Sequence, residues 1–271
     1  MQTQQPAMLE ELTGNVLYSC MEARKRANEQ HVPEHTMGYI ISGQSEFTTG
    51  HGVQVHGEGS MGLVKRDVLV KTVKIPPAGG SFRSISISFP RDILKRYSAA
   101  HNIKAGTAYS GPGLYDLTGN AFILGFFQSL LPYFDHGRAL TPALLELKTN
   151  EAIELLLDHD ASFKHLLFDF SEPYKIDLAE YMNLHYTFNL PLPQFARLTG
   201  RSLAAFKRDF GSVFGMPPAR WLQQKRLEEA YRLISEDGRK PSDVYIDVGF
   251  ENLSHFSFSF KKAFGKAPSM V

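Results

Sequence analysis

The chain has 271 residues, of which 43% are hydrophobic, and a formal net charge of +1, as expected for a globular protein long enough for two domains. No apolar run is long enough to cross a membrane as a helix, and the N-terminus lacks a signal-peptide pattern, so we expect a cytoplasmic protein. The single cysteine, Cys20, excludes an intramolecular disulfide and a zinc site built from several cysteines.

Charge is distributed unevenly along the chain. Residues 1–174 contain 15 basic and 18 acidic residues, whereas residues 175–271 contain 14 basic and 10 acidic residues. A basic C-terminal third beside an acidic remainder is typical of a nucleic-acid module attached to another domain. A chance fluctuation of a few charges would give the same pattern, so charge alone does not decide between them.

The first ninety residues read as short strands separated by glycine-rich turns. The clearest strand is Phe82–Phe89, where Ile85, Ile87 and Phe89 alternate with serines in the period-two pattern of a half-buried strand. Other β-prone runs lie at residues 39–42, 46–49 and 68–73. Several short strands at this spacing predict an antiparallel barrel or sandwich.

After Pro90 the pattern changes to helix. Residues 119–133 are strongly apolar, and Thr141 followed by Pro142 predicts a helix start with threonine as the N-cap, continuing to about residue 157. We predict a first domain at residues 1–160, a connection at 161–174 and a second domain at 175–271. The connection is apolar enough to pack on one domain or the other.

The last hundred residues predict a series of helices. One runs from residue 176 to about 186, a short one carries Phe195, and another begins at Ser202 after a turn at Gly200. A longer helix is predicted from Pro218 to about Ser235. At 1.5 Å per residue its length is roughly 27 Å, close to the ~34 Å between major grooves on one face of B-DNA. It can therefore act as a spacer between two DNA-reading helices.

Two sequence segments, one on either side of this spacer, share the same pattern. In each, a glycine-containing turn precedes a short helix with a phenylalanine at every fourth position and basic residues off that stripe: Phe206, Phe210, Phe214, Lys207 and Arg208 in the first, and Phe256, Phe260, Phe264, Lys261 and Lys262 in the second. In the second segment Asn252 is a good N-cap. A tight turn before such a helix is typical of a helix-turn-helix.

From about Lys175 to the C-terminus the chain resembles the DNA-binding domain of AraC/XylS transcriptional regulators. The matching elements are Phe195-Ala196, Gly200, Ser202, Phe206, Phe210, Gly215, Pro218, Trp221-Leu222, Arg226-Leu227, Ala230, Val244, Val248-Gly249-Phe250, Ser254, Phe256, Phe260-Lys261-Lys262, Gly265 and Pro268. Tyr245 stands where the family usually has alanine, and Phe258 stands where many members have a basic residue. The resemblance covers about a third of the chain.

The resemblance implies an α+β protein with an N-terminal, cupin-like antiparallel β-barrel and packed helices. An all-α domain with two helix-turn-helix units joined by a long helix would follow. It also implies a sequence-specific transcription regulator, an activator that contacts RNA polymerase, controlled by a small-molecule or protein effector. Helices 119–133 and 142–157 would pack on the barrel, where they either only cover it or also form a homodimer. We expect no enzymatic activity and no cofactor.

The first reading helix offers five candidates for contact with double-stranded DNA: Arg201, Ala204, Ala205, Lys207 and Arg208. Helical geometry places Ala204, Lys207 and Arg208 on the face opposite the phenylalanine stripe. Lysine and arginine bond guanine edges or phosphates, and alanine contacts thymine methyl groups. The alternative is that the two cations are only solvated.

The second reading helix offers Ser254, His255, Ser257, Phe258 and Lys261. His255 can bond a base edge or a phosphate while neutral. Phe258 can meet thymine methyl groups or can pack at a domain contact. Because charge is scarce before Lys261, we predict that the first unit carries most of the base specificity.

Histidines in the predicted barrel leave a second class of function open, a cupin-type metalloenzyme fused to a DNA-binding domain. The histidines are His31, His35, His51 and His56. Pro33 separates the first two, so they are not a helical metal pair, and no His-x-His pair is present. We therefore expect ordinary strand or loop histidines, with no metal site and no catalytic residue.

Overall fold

The structure, a computed structural model, describes residues 8–26, 30–107, 109 and 111–271. Its contacts divide the chain into two compact units, Met1–Ser171 and Glu172–Val271. The strands of the first unit are β1 Met8–Thr13, β2 Val16–Met21, β3 Lys25–Arg26, β4 His35–Ser42, β5 Gln44–Thr49, β6 Gly52–His56, β7 Met61–Val64, β8 Lys71–Ile75, β9 Phe82–Phe89 and β10 Leu114–Asp116. Its helices are α1 Arg91–His101, α2 Ala121–Asp135, α3 Pro142–His159 and α4 Phe163–Leu167.

These strands form two antiparallel sheets, with the orders β1-β2-β9-β4-β7-β10 and β3-β8-β5-β6. Among the described residues, no strand ladder joins the two sheets into a closed cylinder. The predicted barrel is therefore corrected to two open sheets. The alternating pattern of a strand specifies which face is buried, but it does not specify which strands close a sheet.

Strand β9 lies inside the larger sheet, hydrogen-bonded to β2 on one side and β4 on the other. Ile85, Ile87 and Phe89 are buried, so the predicted alternation is confirmed. The run predicted at residues 68–73 is shifted, because the strand begins only at Lys71. Before it, Leu69 forms an isolated bridge to His31.

The helices of the first unit complete its core. Thr141 caps α3 by accepting a hydrogen bond from the backbone N–H of Leu144, as predicted. Buried side chains of α2, α3 and α4 join those of β2, β4, β7 and β9 in one hydrophobic cluster. Helix α4 lies within the segment predicted as a connection, and its Phe163 and Leu166 are buried in this cluster. The predicted boundaries at 160 and 175 stay predictions.

The second unit consists of helices. They are α5 Leu178–His185, α6 Leu192–Leu198, α7 Leu203–Phe214, α8 Pro218–Ser235, α9 Pro241–Asp247 and α10 Leu253–Phe264, followed by a short 3-10 turn at Pro268–Met270. The bounds of α8 coincide with those of the predicted spacer helix. Proline at the first position of α8, α9 and the 3-10 turn fixes a helical φ where no backbone donor is needed.

Candidate nucleic-acid interface

The second unit contains two helix-turn-helix motifs that repeat each other closely. Helices α6 and α7 form the first motif, and α9 and α10 form the second. The side chains of Ser202 and Asn252 cap α7 and α10 by accepting hydrogen bonds from backbone N–H groups. Both helices end at a glycine in the left-handed region, Gly215 and Gly265. Positions in α7 and α10 therefore correspond one to one, about fifty residues apart.

The phenylalanine stripes of the two helices face the interior, as the four-residue spacing predicts. Phe206 and Phe210 of α7 are fully buried, and so are Phe256 and Phe260 of α10. The opposite face of each helix consequently turns to solvent. We call these surfaces the reading faces and define them by their exposed candidates, Ala204, Lys207 and Arg208 of α7 and Ser254, His255, Phe258 and Lys261 of α10.

On α7, four of the five predicted candidates lie at the reading face or its margin. Ala204, Lys207 and Arg208 are exposed, and Ala205 is half-buried beside them. The Arg208 side chain is 74% exposed, and its guanidinium lies 3.3 Å from the carboxylate of Asp209. A long, exposed guanidinium beside a small alanine can reach the floor of a major groove.

Arg201, the remaining candidate of the first unit, lies inside the domain. Its side chain is only 7% exposed. The guanidinium donates to the carbonyl oxygens of Ile176 at 3.0 Å and Thr199 at 2.6 Å, and it pairs with Asp209 at 3.2 Å. Its donors are therefore directed to the protein, and we leave Arg201 out of the surface that faces DNA. Local sequence places it next to the N-cap but does not reveal its bonds to Ile176 and Asp209.

The reading face of α10 carries less charge than that of α7. Ser254, His255, Phe258 and Lys261 are exposed, and Ser257 is half-buried at the margin. The Phe258 ring is 70% exposed, so in the isolated chain it does not pack in the interior. By position Phe258 corresponds to Arg208, and Lys261 corresponds to Gly211. The two helices thus present different chemistry from equivalent places.

Helix α8 packs on both motifs. Near its start, the Trp221 ring contacts those of Phe210 and Phe214 in the first motif. Farther along, Leu227 and Ala230 are buried in a cluster that includes Phe256 of the second motif. The eighteen residues of α8 therefore set the separation of the two reading helices, as the spacer prediction requires.

Arg226, near the middle of α8, ties the loop between α5 and α6 to the turn of the second motif. Its guanidinium donates to the carbonyl oxygens of Tyr186 at 2.8 Å, Phe188 at 2.8 Å and Gly249 at 3.0 Å. Burial lowers the pKa of Arg226 to about 10, with Glu251 opposing the shift, so the side chain is charged at neutral pH. The sequence flags Arg226 only as part of a family pattern, because its three acceptors lie far away along the chain.

The turn of the first motif also contacts the segment that precedes α5 in the second unit. Gly200 has a φ of +65°, and a Cβ atom there would lie 2.3 Å from the carbonyl carbon of Tyr174. Only glycine allows the two backbones to approach this closely. Lys175, the next residue, pairs with Asp209 of α7 at 3.2 Å. No local pattern pairs Lys175 with Asp209, and the one local signal is an acidic residue directly after Arg208.

The four histidines of the predicted barrel have different surroundings. His31 pairs with Asp67 at 3.0 Å, His35 is buried, His51 is exposed, and His56 lies against the ring of Phe47. Among the described residues, no three His, Cys, Asp or Glu side chains are grouped so that they could hold a metal ion. Within the same residues, no helix is long and apolar enough to cross a membrane.

Two protein families match this chain over most of its length. Residues 35–167 match the family described as ExsA N-terminal regulatory domain, and residues 195–271 match the one described as Helix-turn-helix domain. The first match covers β4 to β10 and α1 to α4, and the second runs from within α6 through α10 to the C-terminus.

Named relatives agree with these matches. The HTH-type transcriptional regulator ExsA of Pseudomonas aeruginosa is 25% identical over 213 residues, which are 78% of this chain and 76% of that protein. Transcriptional activator NphR of a Rhodococcus species is 27% identical over 242 residues, 86% of this chain and 69% of that protein. Thermoregulatory protein LcrF of Yersinia pestis is 33% identical over 94 residues, about a third of each chain. With its paired motifs, this chain belongs to the AraC/XylS family of DNA-binding transcription regulators.

Proposed function

We propose that this regulator activates transcription by inserting α7 and α10 into successive major grooves of its operator, under control of the first unit. The observation that carries the proposal is the pair of capped helices α7 and α10, which are joined by α8. Each of them turns to solvent the face opposite its phenylalanine stripe. Helix α8 spans roughly 27 Å, which suits two helices one turn of B-DNA apart. The relatives named as activators support activation over repression.

Within this proposal the two reading helices have different roles. Lys207 and Arg208 of α7 contact base edges or phosphates, and Ala204 lies against a thymine methyl group. His255 and Phe258 of α10 supply weaker base contacts, and Lys261 near its end meets a phosphate. Ser254, and the marginal Ala205 and Ser257, complete the contact surface.

We propose further that the first unit receives a small-molecule or protein effector and forms a homodimer through α2 and α3. The side chains of Phe122 on α2 and Leu147 on α3 are large, apolar and exposed, which supports an interface at these two helices. The protein would act in the cytoplasm as a binding protein rather than an enzyme, and would contact RNA polymerase when bound at a promoter. The regulatory domain would end, and the DNA-binding domain begin, within the connection at 161–174.

A fragment that contains only the second unit tests the DNA-binding proposal. Residues 172–271 contain both motifs and α8, so the fragment should bind duplex DNA, and its affinity should fall as salt rises because phosphate contacts release counterions. Binding is measured by fluorescence anisotropy between about 50 and 200 mM salt. A folded fragment without salt-sensitive binding would contradict the proposal.

A further inference from the structure

One carboxylate organises the cations around the first reading helix. Oδ2 of Asp209 lies 3.2 Å from Nζ of Lys175 and 3.2 Å from Nε of Arg201, while Oδ1 lies 3.3 Å from the Arg208 guanidinium. Hydrogen bonds from Lys175 and Arg201 hold the pKa of Asp209 below its usual range, so the group is ionised at neutral pH. Arg208 is the member of this set that belongs to the reading face.

The carboxylate is fixed from behind. Arg201, buried in the turn, is itself held by the carbonyl oxygens of Ile176 and Thr199. A carboxylate paired with a guanidinium that cannot move has a restricted orientation. Asp209 therefore links the turn to the guanidinium of the exposed Arg208 side chain.

The second motif folds without any of these three groups. At the positions of Arg201, Arg208 and Asp209 it has Glu251, Phe258 and Ser259, respectively. Ser259 is buried and accepts a hydrogen bond from Gln223 instead. Because α10 keeps the same length, N-cap and terminal glycine as α7, the fold of the motif does not require the charged set. The set occurs only in the motif that carries an arginine on its reading face.

We propose that Asp209 is a positioning residue that sets the base specificity of Arg208. Its carboxylate holds the guanidinium at the helix and keeps it from turning to the nearest DNA phosphate, where it would bind all sequences alike. The inference rests on the proposed function, in which Arg208 meets base edges. It adds an acidic group beside the reading face, whose charge disfavours binding to any DNA but favours discrimination between sequences.

Loss of the Asp209 charge should change the affinity for scrambled DNA and the affinity for the preferred sequence differently. In Asp209→Asn the side chain keeps its size but loses its charge, so the affinity for scrambled DNA should rise while that for the preferred sequence does not. The ratio of the two affinities should fall about threefold or more, within the range of coupling between contacting residues. Lys175→Ala, which removes a different cation from the same carboxylate, is the matched control. It should lower both affinities alike.

A double-mutant cycle in the full chain tests the inference. The wild type, Asp209→Asn, Arg208→Ala and the double variant are titrated against a duplex that the wild type selects from a randomised pool, and against its scrambled version. Asp209→Asn should lower the affinity ratio in the wild-type background and leave it unchanged in the Arg208→Ala background. An equal fall in both backgrounds, or no fall in the first, would overturn the inference.

The same cycle separates this inference from the proposed function. If Arg208→Ala lowers the ratio but Asp209→Asn does not, Arg208 reads bases and only the positioning role is wrong. If Arg208→Ala leaves the ratio unchanged, base reading by Arg208 is itself wrong, and the positioning role falls with it. Should Asp209→Asn fail to fold, Asp209→Glu keeps the charge but moves the carboxylate, and it should lower the ratio without raising affinity for scrambled DNA.

Discussion

The guanidinium of Arg226 donates a hydrogen bond to the carbonyl oxygen of Gly249 across 3.0 Å. The other two acceptors, on Tyr186 and Phe188, lie between the first two helices of the unit, whereas Gly249 lies in the turn of the second motif. One buried cation therefore fixes the turn of the second motif relative to the loop between α5 and α6. A buried arginine that donates to three backbone carbonyls is costly to disturb, because any carbonyl left without its donor stays desolvated.

Gly249→Ala should destabilise the second unit and weaken operator binding. Gly249 has a φ of +92°, and a Cβ atom there would lie 2.6 Å from the carbonyl oxygen of Thr187 and 3.0 Å from the Arg226 guanidinium. We expect a loss of about 2–4 kcal/mol in the free energy of unfolding, from backbone strain and from displacement of Arg226. Chemical denaturation followed by the fluorescence of Trp221 measures it.

Gly265→Ala is the matched control for that variant. Its φ of +75° imposes a similar backbone strain, but a Cβ atom there would meet nothing within 4 Å. The loss should be only about 1–2 kcal/mol. Equal losses for the two variants would show that the contact with Arg226 contributes nothing beyond the backbone conformation.

Ala230→Pro should abolish specific binding more than general affinity for DNA. Ala230 is fully buried in the middle of α8, and proline there removes a helical hydrogen bond and clashes with the preceding turn, at roughly 3 kcal/mol or more. The two reading helices would lose their fixed separation. Ala219→Pro, in the first turn of α8 where proline is tolerated, is the control. Footprints unchanged by Ala230→Pro would contradict the role of α8 as a spacer.

Arg208→Ala and Lys261→Ala should affect binding in different ways. Arg208→Ala should relax specificity at one or two base pairs, with a loss of about 1–3 kcal/mol of discrimination. Lys261→Ala should weaken binding about equally on all sequences, because a lysine near a helix end meets phosphate. Both variants are titrated against operator and scrambled duplexes. If Arg208→Ala lowers both affinities equally and a change at His255 or Phe258 alters base preference, the second motif is the reader.

The first unit should lose stability in acid through His35. Burial, together with the nearby cations Arg66 and Lys65, lowers the pKa of His35 from 6.5 to about 3. As the pH falls, His35 therefore takes up a proton in the unfolded chain at a higher pH than in the folded protein. The stability that is present above pH 6.5 is lost as the pH falls toward 3. The loss at pH 5 should be about 2 kcal/mol.

Hydrogen exchange of the amides in β4 and β9 measures this loss at pH 7 and pH 5. In His35→Gln the corresponding part of the pH dependence should disappear, because glutamine can still accept the bond from the Arg66 backbone N–H but does not titrate. His51→Gln, at an exposed turn, should keep the wild-type dependence. An unchanged pH dependence in His35→Gln would show that other groups cause it.

Local patterns predict much of the second unit. Asn252 and Ser202 are visible as N-caps, the phenylalanine spacing marks the buried faces, and Pro218 marks the start of α8. Each of these signals lies within a few residues of the feature that it predicts, so no distant part of the chain is needed. Exposure of Lys207 and Arg208 follows from the same periodicity.

Features that depend on distant residues escape such patterns. The strands of the first unit can be predicted individually from the sequence, but the division into two sheets depends on which strands pair with each other. Arg201 looks like a surface cation by its neighbours in sequence, yet its partners include Ile176 and Asp209. The same holds for Arg226, whose carbonyl acceptors become neighbours only after folding.

The close approach of Gly200 to Tyr174 has a consequence for how such proteins can be recombined. Tyr174 and Lys175 precede the first helix of the DNA-binding unit, yet they are built into its first motif through Gly200 and Asp209. A chimera that exchanges the regulatory half should therefore be joined upstream of Tyr174. A seam placed at the start of α5 would replace residues that the reading helix needs.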